Sequence, residues 1–202
     1  EAPTISAQWK EVEPADQSDP YDHHLSNRIN TQVGWKLIGA SQRGKAHAHY
    51  GKYREDAFNF ASIESGWHVA AIADGAGSAA LSRIGANLAV NAAVKEMVTK
   101  LTLSGKGSEA PEGLARHALR SGFERAYQAI CYEAEQRERP LSDFATTLGL
   151  LLHYPHPDGD LIAVTQVGDP LLAGLFEEGQ FHTFAEADSG NYAGEALFLT
   201  SE

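Results

Sequence analysis

One short stretch constrains the fold of this chain more than any other: an apolar run that ends in an acidic, glycine-rich turn. Residues 69–73 read Val-Ala-Ala-Ile-Ala, and residues 74–78 continue as Asp-Gly-Ala-Gly-Ser. A continuous apolar run bounded by turn residues predicts a buried strand. Asp74 then lies at the strand end, where its carboxylate is held rigidly and still meets solvent. Gly75 and Gly77 allow a sharp turn and a close approach of a ligand to the main chain.

A second acidic pair, Glu55-Asp56, precedes an alternating apolar run at residues 58–63. If the two runs pair as neighbouring strands, Asp56 and Asp74 meet at adjacent strand ends. Hard divalent cations prefer clustered carboxylates, backbone carbonyls and water, and the carbonyl of Gly75 could face the same ion. The alternative is an ordinary strand-to-loop turn whose aspartate hydrogen-bonds only within its own turn.

A basic segment leads directly into this acidic pair, and we expect it to form a loop or loose hairpin over residues 42–53. Its potential cations are Arg43, Lys45, His47, His49, Lys52 and Arg54. One interpretation is a phosphate-receiving patch, with Arg43 or Arg54 making bidentate contacts; the other is a solvated basic loop. His47 and His49 alternate, so in an extended segment they would share one face.

The order of the patterns predicts an α+β fold. Residues 1–33 are polar and are expected to form an extended arm with little structure of its own. Helical spacing predicts one helix from Ser82 to a break at 104–108 and a second at about 112–137. Strand patterns occupy residues 35–41, 58–63, 67–73, 145–154, 161–167, 171–176 and 180–184. Strands, then two long helices, then strands again are typical of α+β rather than alternating βαβ folds.

Four motifs, taken in order, resemble those of a known family. They are Glu55-Asp56, the turn at 74–78, Ala145-Thr-Thr-Leu148 and Val167-Gly-Asp169. They look like the motifs of the PP2C-type (PPM) metal-dependent serine/threonine protein phosphatases, and a DGAGS-type turn resembles their divergent bacterial branch. The resemblance implies a PP2C-like β-sandwich flanked by pairs of antiparallel helices. That domain would run over residues 34–202 and would lack the family's C-terminal part.

The resemblance also implies a chemistry and its site residues. In this family two or three Mg²⁺ or Mn²⁺ ions bind the phosphate and activate a water that attacks phosphorus in line. The implied metal ligands are Asp56, Asp74, the carbonyl of Gly75, and Asp169. Asp74 would bridge two of the ions, and Glu55 would act behind Asp56.

Three departures from the family pattern qualify this implied site. A histidine that follows the Asp-Gly pair in many members is Ala76 here, so His47 or His49 would have to protonate the leaving group. The family's phosphate-binding arginine corresponds to Gly51, so Arg43 or Arg54 would have to replace it. Further aspartates that the family carries near its C-terminus are not reached by Glu202.

The composition of the chain argues against some classes of binding partner. A net charge of -11 argues against nucleic acid and anionic membranes, and no apolar run approaches the length of a membrane span. A single cysteine, Cys131, fits the cytoplasm. We therefore expect a cytoplasmic phosphatase whose substrate is a phosphorylated protein and whose candidate partner is a Ser/Thr kinase. The alternative is a pseudophosphatase that binds a phosphoprotein or kinase without turnover.

Overall fold

The structure, a computed structural model, describes residues 9–31, 34–104, 110–156, 158–176, 179–185 and 197–201. The first half contains β1 (His24–Asn30), β2 (Lys36–Gln42), α1 (Lys45–Tyr50), β3 (Ala57–Ser62) and β4 (His68–Ala73). Two long helices follow, α2 (Ser82–Ser104) and α3 (Pro111–Gln136), and then a 3₁₀ turn, Leu141–Phe144. The remaining strands are β5 (Leu148–Tyr154), β6 (Leu161–Val167), β7 (Ala173–Leu175) and β8 (Phe181–Thr183).

The central sheet has four strands in the order β3-β4-β5-β6, and every neighbouring pair is antiparallel. Successive side chains point to opposite faces of a strand. On β4, Val69 and Ala71 are buried on one face, and their cross-strand neighbours Leu152 and Leu150 are fully buried beside them. Ile72 points to the other face and is exposed. The apolar run therefore forms a strand that is buried mainly on one side.

Helices α2 and α3 form a hairpin that covers the buried face of the sheet. The buried stripe of α3 follows the predicted spacing and consists of Ala115, Ala118, Leu119, Gly122, Ala126, Ile130 and Ala134. The start of α2 is pressed against the 3₁₀ turn: a Cβ on Gly85 would lie 2.1 Å from the carbonyl oxygen of Phe144. Only glycine permits this approach, which sets the position of α2 at the end of the sheet.

Strands β1 and β2 form a separate antiparallel ribbon that lies against the opposite face of the sheet. A Cβ on Gly39 would lie 2.3 Å from the ring of Phe58, and the ring of Trp35 lies 4.4 Å from that of His153. The expectation that residues 1–33 lack structure is therefore wrong for β1. Its apolar residues Leu25 and Ile29 share one face of the strand, and both are partly buried.

A second correction concerns residues 42–53, which were expected to be a loop or hairpin. Residues 45–50 form helix α1, which ends at Gly51 in the left-handed conformation with φ 64°. Its sequence, Lys-Ala-His-Ala-His-Tyr, contains two alanines, the residue with the highest helix propensity. Because residues two apart do not share a helix face, His47 and His49 diverge.

The prediction of an α+β fold with antiparallel sheets and an antiparallel helix pair is confirmed. The strands predicted at 171–176 and 180–184 are present as β7 and β8, which pair as an antiparallel hairpin. In the described ranges, no helix is both long and apolar enough to cross a bilayer. The boundary between an arm at 1–33 and a domain from 34 stays a prediction.

Candidate active site at the end of the central sheet

Antiparallel pairing brings three aspartates to one end of the central sheet. Asp56 lies just before β3, Asp74 just after β4, and Asp169 just beyond β6. Together with Thr147 they line a cavity of about 450 Å³. A second cavity, of about 270 Å³, is lined by Asp74, Asp169 and Glu55 among others. The sequence-based expectation that Asp56 and Asp74 meet at adjacent strand ends is therefore realised.

The acidic cluster disfavours the ionised form of two of its own carboxyl groups, those of Asp74 and Glu55. Desolvation by the surrounding atoms raises the pKa of Asp74 to about 6, although the residue as a whole remains exposed. A hydrogen bond with the carboxyl of Asp56 and repulsion from Asp56, Asp169 and Glu55 contribute to the same increase in pKa. Burial also raises the pKa of Glu55, an effect that His47 and Lys52 oppose. A nearby cation would relieve this repulsion.

Two buried threonines hold the backbone of Asp74 in place. The backbone N–H of Thr147 donates to the Asp74 carbonyl at 2.9 Å, and the hydroxyl of Thr146 donates to the same oxygen at 3.0 Å. The N–H of Asp74 in turn donates to the Thr147 hydroxyl at 3.0 Å. Sequence reasoning treated both threonines as parts of a strand and missed their role in positioning Asp74. The only available signal was a pair of hydroxyl-bearing residues just before β5.

Gly75 lies buried where the segment before β3, the turn and α2 meet. A Cβ at this position would lie 2.9 Å from the carbonyl oxygen of Glu55 and 2.9 Å from the Cβ of Ser82. The absence of a side chain therefore lets three segments approach one another closely. This packing role was not expected for Gly75, whose predicted role as a carbonyl ligand stays a prediction.

The structure separates the two histidines of α1. The Nε2 of His47 lies 3.5 Å from Oε2 of Glu55, and His47 lines the 270 Å³ cavity together with Asp74. His49 points away: its Nδ1 accepts a hydrogen bond from the N–H of Lys10 at 3.2 Å, and its ring packs edge-on against Trp9. The prediction that both histidines line the mouth of the site is wrong for His49.

Arg43 does not receive phosphate, contrary to the prediction, because its guanidinium is buried and its donors are engaged. Nε donates to the Lys52 carbonyl at 2.7 Å, and Nη2 donates to the carbonyls of Val12 at 2.5 Å and His47 at 3.3 Å. Nη1 faces a ring nitrogen of His23. The side chain therefore ties α1 to the N-terminal segment.

Arg54 is also wrongly predicted as a phosphate ligand. It is 3% exposed, and its guanidinium donates to the carbonyls of Asp22 and Asp56 and to the hydroxyl of Ser41. Desolvation lowers the pKa of Arg54, and the negative charge of Asp56 is the main effect that opposes this decrease. Arg54 thus supports the backbone beneath the acidic cluster instead of facing a ligand.

Lys52 is a cation at the site that the sequence analysis did not single out. It is exposed, and its ammonium donates to the carbonyl of Gly77 at 2.9 Å. It follows Gly51, the residue to which the resemblance in sequence assigns the position of a phosphate-binding arginine. That neighbouring position was the signal that could have identified it.

The donor set suits a hard cation only in part. Carboxylates and a carbonyl at a solvent-facing strand end are the oxygen ligands that Mg²⁺ and Mn²⁺ prefer. Within the part of the chain that the structure describes, however, no three Asp, Glu, His or Cys side chains are arranged closely enough to hold an ion. A cation at this end of the sheet would therefore have the adjacent carboxyls of Asp56 and Asp74 as its side-chain ligands, and water would have to complete its shell.

Comparisons with known proteins identify one family and one solved structure to which this chain is similar. A family model described as protein phosphatase 2C matches residues 43–202. Among solved structures, the serine/threonine phosphatase Stp1 from Staphylococcus aureus is similar, with 11% sequence identity and a TM-score of 0.46. That alignment covers 90% of this chain and 57% of the Stp1 chain, so this chain spans little more than half of that structure. No curated protein matches.

Proposed function

Because the chain belongs to the protein phosphatase 2C family, we propose that it is a metal-dependent phosphatase that hydrolyses phosphoserine or phosphothreonine in proteins. The observation that carries this proposal is the acidic cluster at the sheet end. There the carboxyl of Asp74 is desolvated and lies among Asp56, Asp169 and Glu55, which raises its pKa to about 6. Mutually repelling carboxylates around a cavity favour the binding of a divalent cation.

The residues that would hold Mg²⁺ or Mn²⁺ are Asp56 and Asp74, with the carbonyl of Gly75 and with Asp169 for further ions. A bound cation supplies two things: a lower pKa for a water molecule and positive charge that offsets the phosphate. Thr146 and Thr147 act indirectly, because their hydrogen bonds fix the main chain from which the Asp74 carboxylate projects.

The remaining roles go to two side chains beside the acidic cluster: His47 lines the 270 Å³ cavity, and Lys52 donates to the carbonyl of Gly77, which also lines it. His47 is the proposed proton donor to the leaving group, because the histidine that many family members carry after the Asp-Gly pair is Ala76 here. The Oε2 of Glu55 lies 3.5 Å from the Nε2 of His47 and orients its ring. Lys52 is the proposed cation for the phosphate, since Arg43 and Arg54 are committed elsewhere. The partner of this site is a phosphorylated protein, and a Ser/Thr kinase would supply that substrate.

The test is hydrolysis of p-nitrophenyl phosphate and of a phosphothreonine peptide, with Mn²⁺ and with a chelator. We expect turnover that requires the metal and that falls by at least 10²-fold in Asp74→Asn. Asp158→Asn removes a carboxylate that is 93% exposed and lines none of the site cavities, so it is the matched control. Peptide binding without hydrolysis under all metal conditions would support a pseudophosphatase and refute the proposal.

A further inference from the structure

A third cavity lies beside the acidic cluster, between the loop that precedes β3 and the start of α2. Its volume is about 300 Å³, and Lys52, Glu55, Ser78, Arg83, Pro14 and Asp16 contribute to its walls. It shares Glu55 and Gly77 with the 270 Å³ cavity that contains Asp74. A peptide whose phosphorylated residue reaches Asp74 would therefore place its neighbouring residues at this third cavity.

Arg83 is the central feature of the third cavity. Only 8% of the residue is exposed, and the guanidinium lies 5.0 Å from the ring centroid of Tyr53 and 5.8 Å from that of Tyr21. Nε donates to the carbonyl of Asp19 at 3.3 Å, whereas the buried Nη2 has no hydrogen-bond partner among the described residues. A buried guanidinium N–H without an acceptor is unfavourable, so this position favours an added anionic oxygen.

Two further features give the cavity a positive character. Lys52 places its ammonium at the rim, where it donates to the Gly77 carbonyl. Helix α2 begins at the cavity and has no acidic residue in its first turn, so the positive end of its 23-residue dipole is not offset there. Glu55 is the acidic group of the domain on these walls, and its neighbours His47 and Lys52 partly offset its charge.

The carboxylate of Asp16, in the N-terminal segment, lies beside Nη2 of Arg83 but contacts it only weakly. Its Oδ2 lies 3.8 Å from Nη2 of Arg83, which is within ion-pair range but too long for a hydrogen bond. The side chain is 65% exposed, and its Oδ1 instead accepts hydrogen bonds from the N–H and the hydroxyl of Ser18, at 2.9 and 2.6 Å. A ligand anion could therefore replace Asp16 with little loss of bonding.

We propose that the third cavity is an anion subsite that binds an acidic or phosphorylated side chain flanking the phosphorylated residue of the substrate, with Asp16 as its displaceable internal occupant. The proposal rests on the proposed function for the identity of the ligand, a phosphopeptide. It assigns to Arg83 the recognition of the residues that flank the phosphorylated residue, a role distinct from the chemistry at Asp74, while Lys52 lies between the two sites.

The experiment measures equilibrium binding of labelled phosphothreonine peptides by fluorescence anisotropy. The peptides carry asparagine, aspartate or phosphoserine at one position, scanned over the three residues on each side of the phosphothreonine. We expect the best aspartate peptide to bind about tenfold more tightly than its asparagine counterpart. The phosphoserine arm shows whether the subsite prefers a phosphate to a carboxylate.

Two variants test the assignment. Asp16→Asn removes the internal competitor and should increase the preference for the acidic peptide by roughly threefold, while Glu11→Gln, elsewhere on the same segment, should not change it. Arg83→Met should abolish the preference, whereas Arg120→Met, an exposed arginine on α3, should retain it. Thermal unfolding of each variant identifies any that fails to fold.

Equal affinity for acidic and neutral peptides in both wild type and Asp16→Asn would overturn the subsite, even if Arg83→Met does not fold. Binding is measured without turnover, so this outcome is separate from failure of the proposed function. That failure would appear as no Mn²⁺-dependent hydrolysis of p-nitrophenyl phosphate by a protein that still distinguishes the peptides.

Discussion

Asp74 carries a charge that its surroundings disfavour when no cation is bound. Its pKa of about 6 lies above its usual 3.8, so the folded protein binds a proton more readily than the unfolded chain does. Above pH 6 the ionised carboxylate therefore lowers the free energy of unfolding, and this cost decreases progressively as the pH falls from about 6 towards 3.8. The proposed metal ligand is thus held at the expense of stability, a common feature of active sites.

We predict that Asp74→Asn stabilises the metal-free protein. In chelator at pH 8, the free energy of unfolding should increase by about 1 kcal/mol, a value reduced from the full effect of the pKa shift because Asp74 is exposed to solvent. Denaturant titration checks this. The gain should shrink as the pH falls below 6, where wild-type Asp74 is already protonated. A gain that does not depend on pH would mean that Asn packs better and that charge repulsion is not the cause.

His47 and His49 form a matched pair, because they share one helix and only His47 reaches the acidic cluster. We predict that His47→Gln lowers kcat about 10²-fold, a typical effect of losing a general acid. His49→Gln should leave kcat within about twofold of wild type, since its ring contacts Trp9 and Lys10. Steady-state kinetics with a phosphothreonine peptide distinguish the two variants, and equal losses of kcat would contradict the assignment.

At the scale of elements, a buried histidine pair joins β4 to β5. The Nδ1 atoms of His68 and His153 lie 2.9 Å apart, and the Nε2 of His153 lies 3.0 Å from a carboxylate oxygen of Asp160. If His153 donates from Nε2 to Asp160, its Nδ1 accepts from the Nδ1–H of His68. The Nε2 of His68 then carries no proton and is buried without a partner among the described residues.

Burial, together with the nearby His153, lowers the pKa of His68 below its usual 6.5. As the pH falls below about 6.5, the unfolded chain binds a proton that the folded protein excludes. We therefore predict that the free energy of unfolding decreases over this range. His68→Asn keeps a donor near the Nδ1 position and should flatten this part of the pH profile, as measured by denaturant titration. An equally steep decrease in the free energy of unfolding of the variant would show that groups other than His68 cause it.

At the scale of the whole molecule, arginines from several elements hold the N-terminal segment against the domain. Arg43, Arg54 and Arg83 each donate to one of its backbone carbonyls, and Tyr53 donates to the carbonyl of Asp16 at 2.9 Å. At the end of α3, Arg137 makes a bidentate contact with the carboxylate of Asp19, at 2.7 and 2.9 Å. The segment therefore docks without helix or strand of its own over residues 9–22.

We predict that the bidentate pair of Asp19 and Arg137 contributes a coupling free energy of about 1 kcal/mol. The value exceeds that of an ordinary surface pair because the contact is bidentate and both side chains are partly shielded from solvent. A double-mutant cycle of Asp19→Ala and Arg137→Ala, followed by denaturant unfolding, measures it. The exposed pair of Arg120 and Glu124 on α3 serves as the comparison and should give at most about 0.5 kcal/mol. A coupling no larger than in that pair would show that the segment is held by other contacts.

Local sequence patterns were enough to place most of the elements and the acids. The alternation at 58–63, the apolar run at 69–73 and the helical spacing from Ser82 onward are short-range signals. Antiparallel pairing then requires Asp56 and Asp74 to share one sheet end. The helix α1 was missed because six residues offer too few turns for a periodic pattern, and β1 was missed because its composition is polar.

Only the tertiary structure decided which groups the arginine side chains near the site contact. Arg43 donates to the carbonyl of Val12, 31 residues away, and Arg54 donates to that of Asp22, 32 residues away. A local sequence pattern cannot predict contacts between residues so far apart in the chain. An arginine near an acidic cluster suggests phosphate binding by its charge, yet burial against backbone carbonyls removes its donors from the site. The sequence by itself determined which carboxylates gather at the sheet end, because local patterns fix the strand ends at which Asp56 and Asp74 lie and the short connection between the two strands favours their antiparallel pairing. The chain's long-range packing determined which of the nearby cations, Lys52, His47 and Arg83, remain close to those carboxylates.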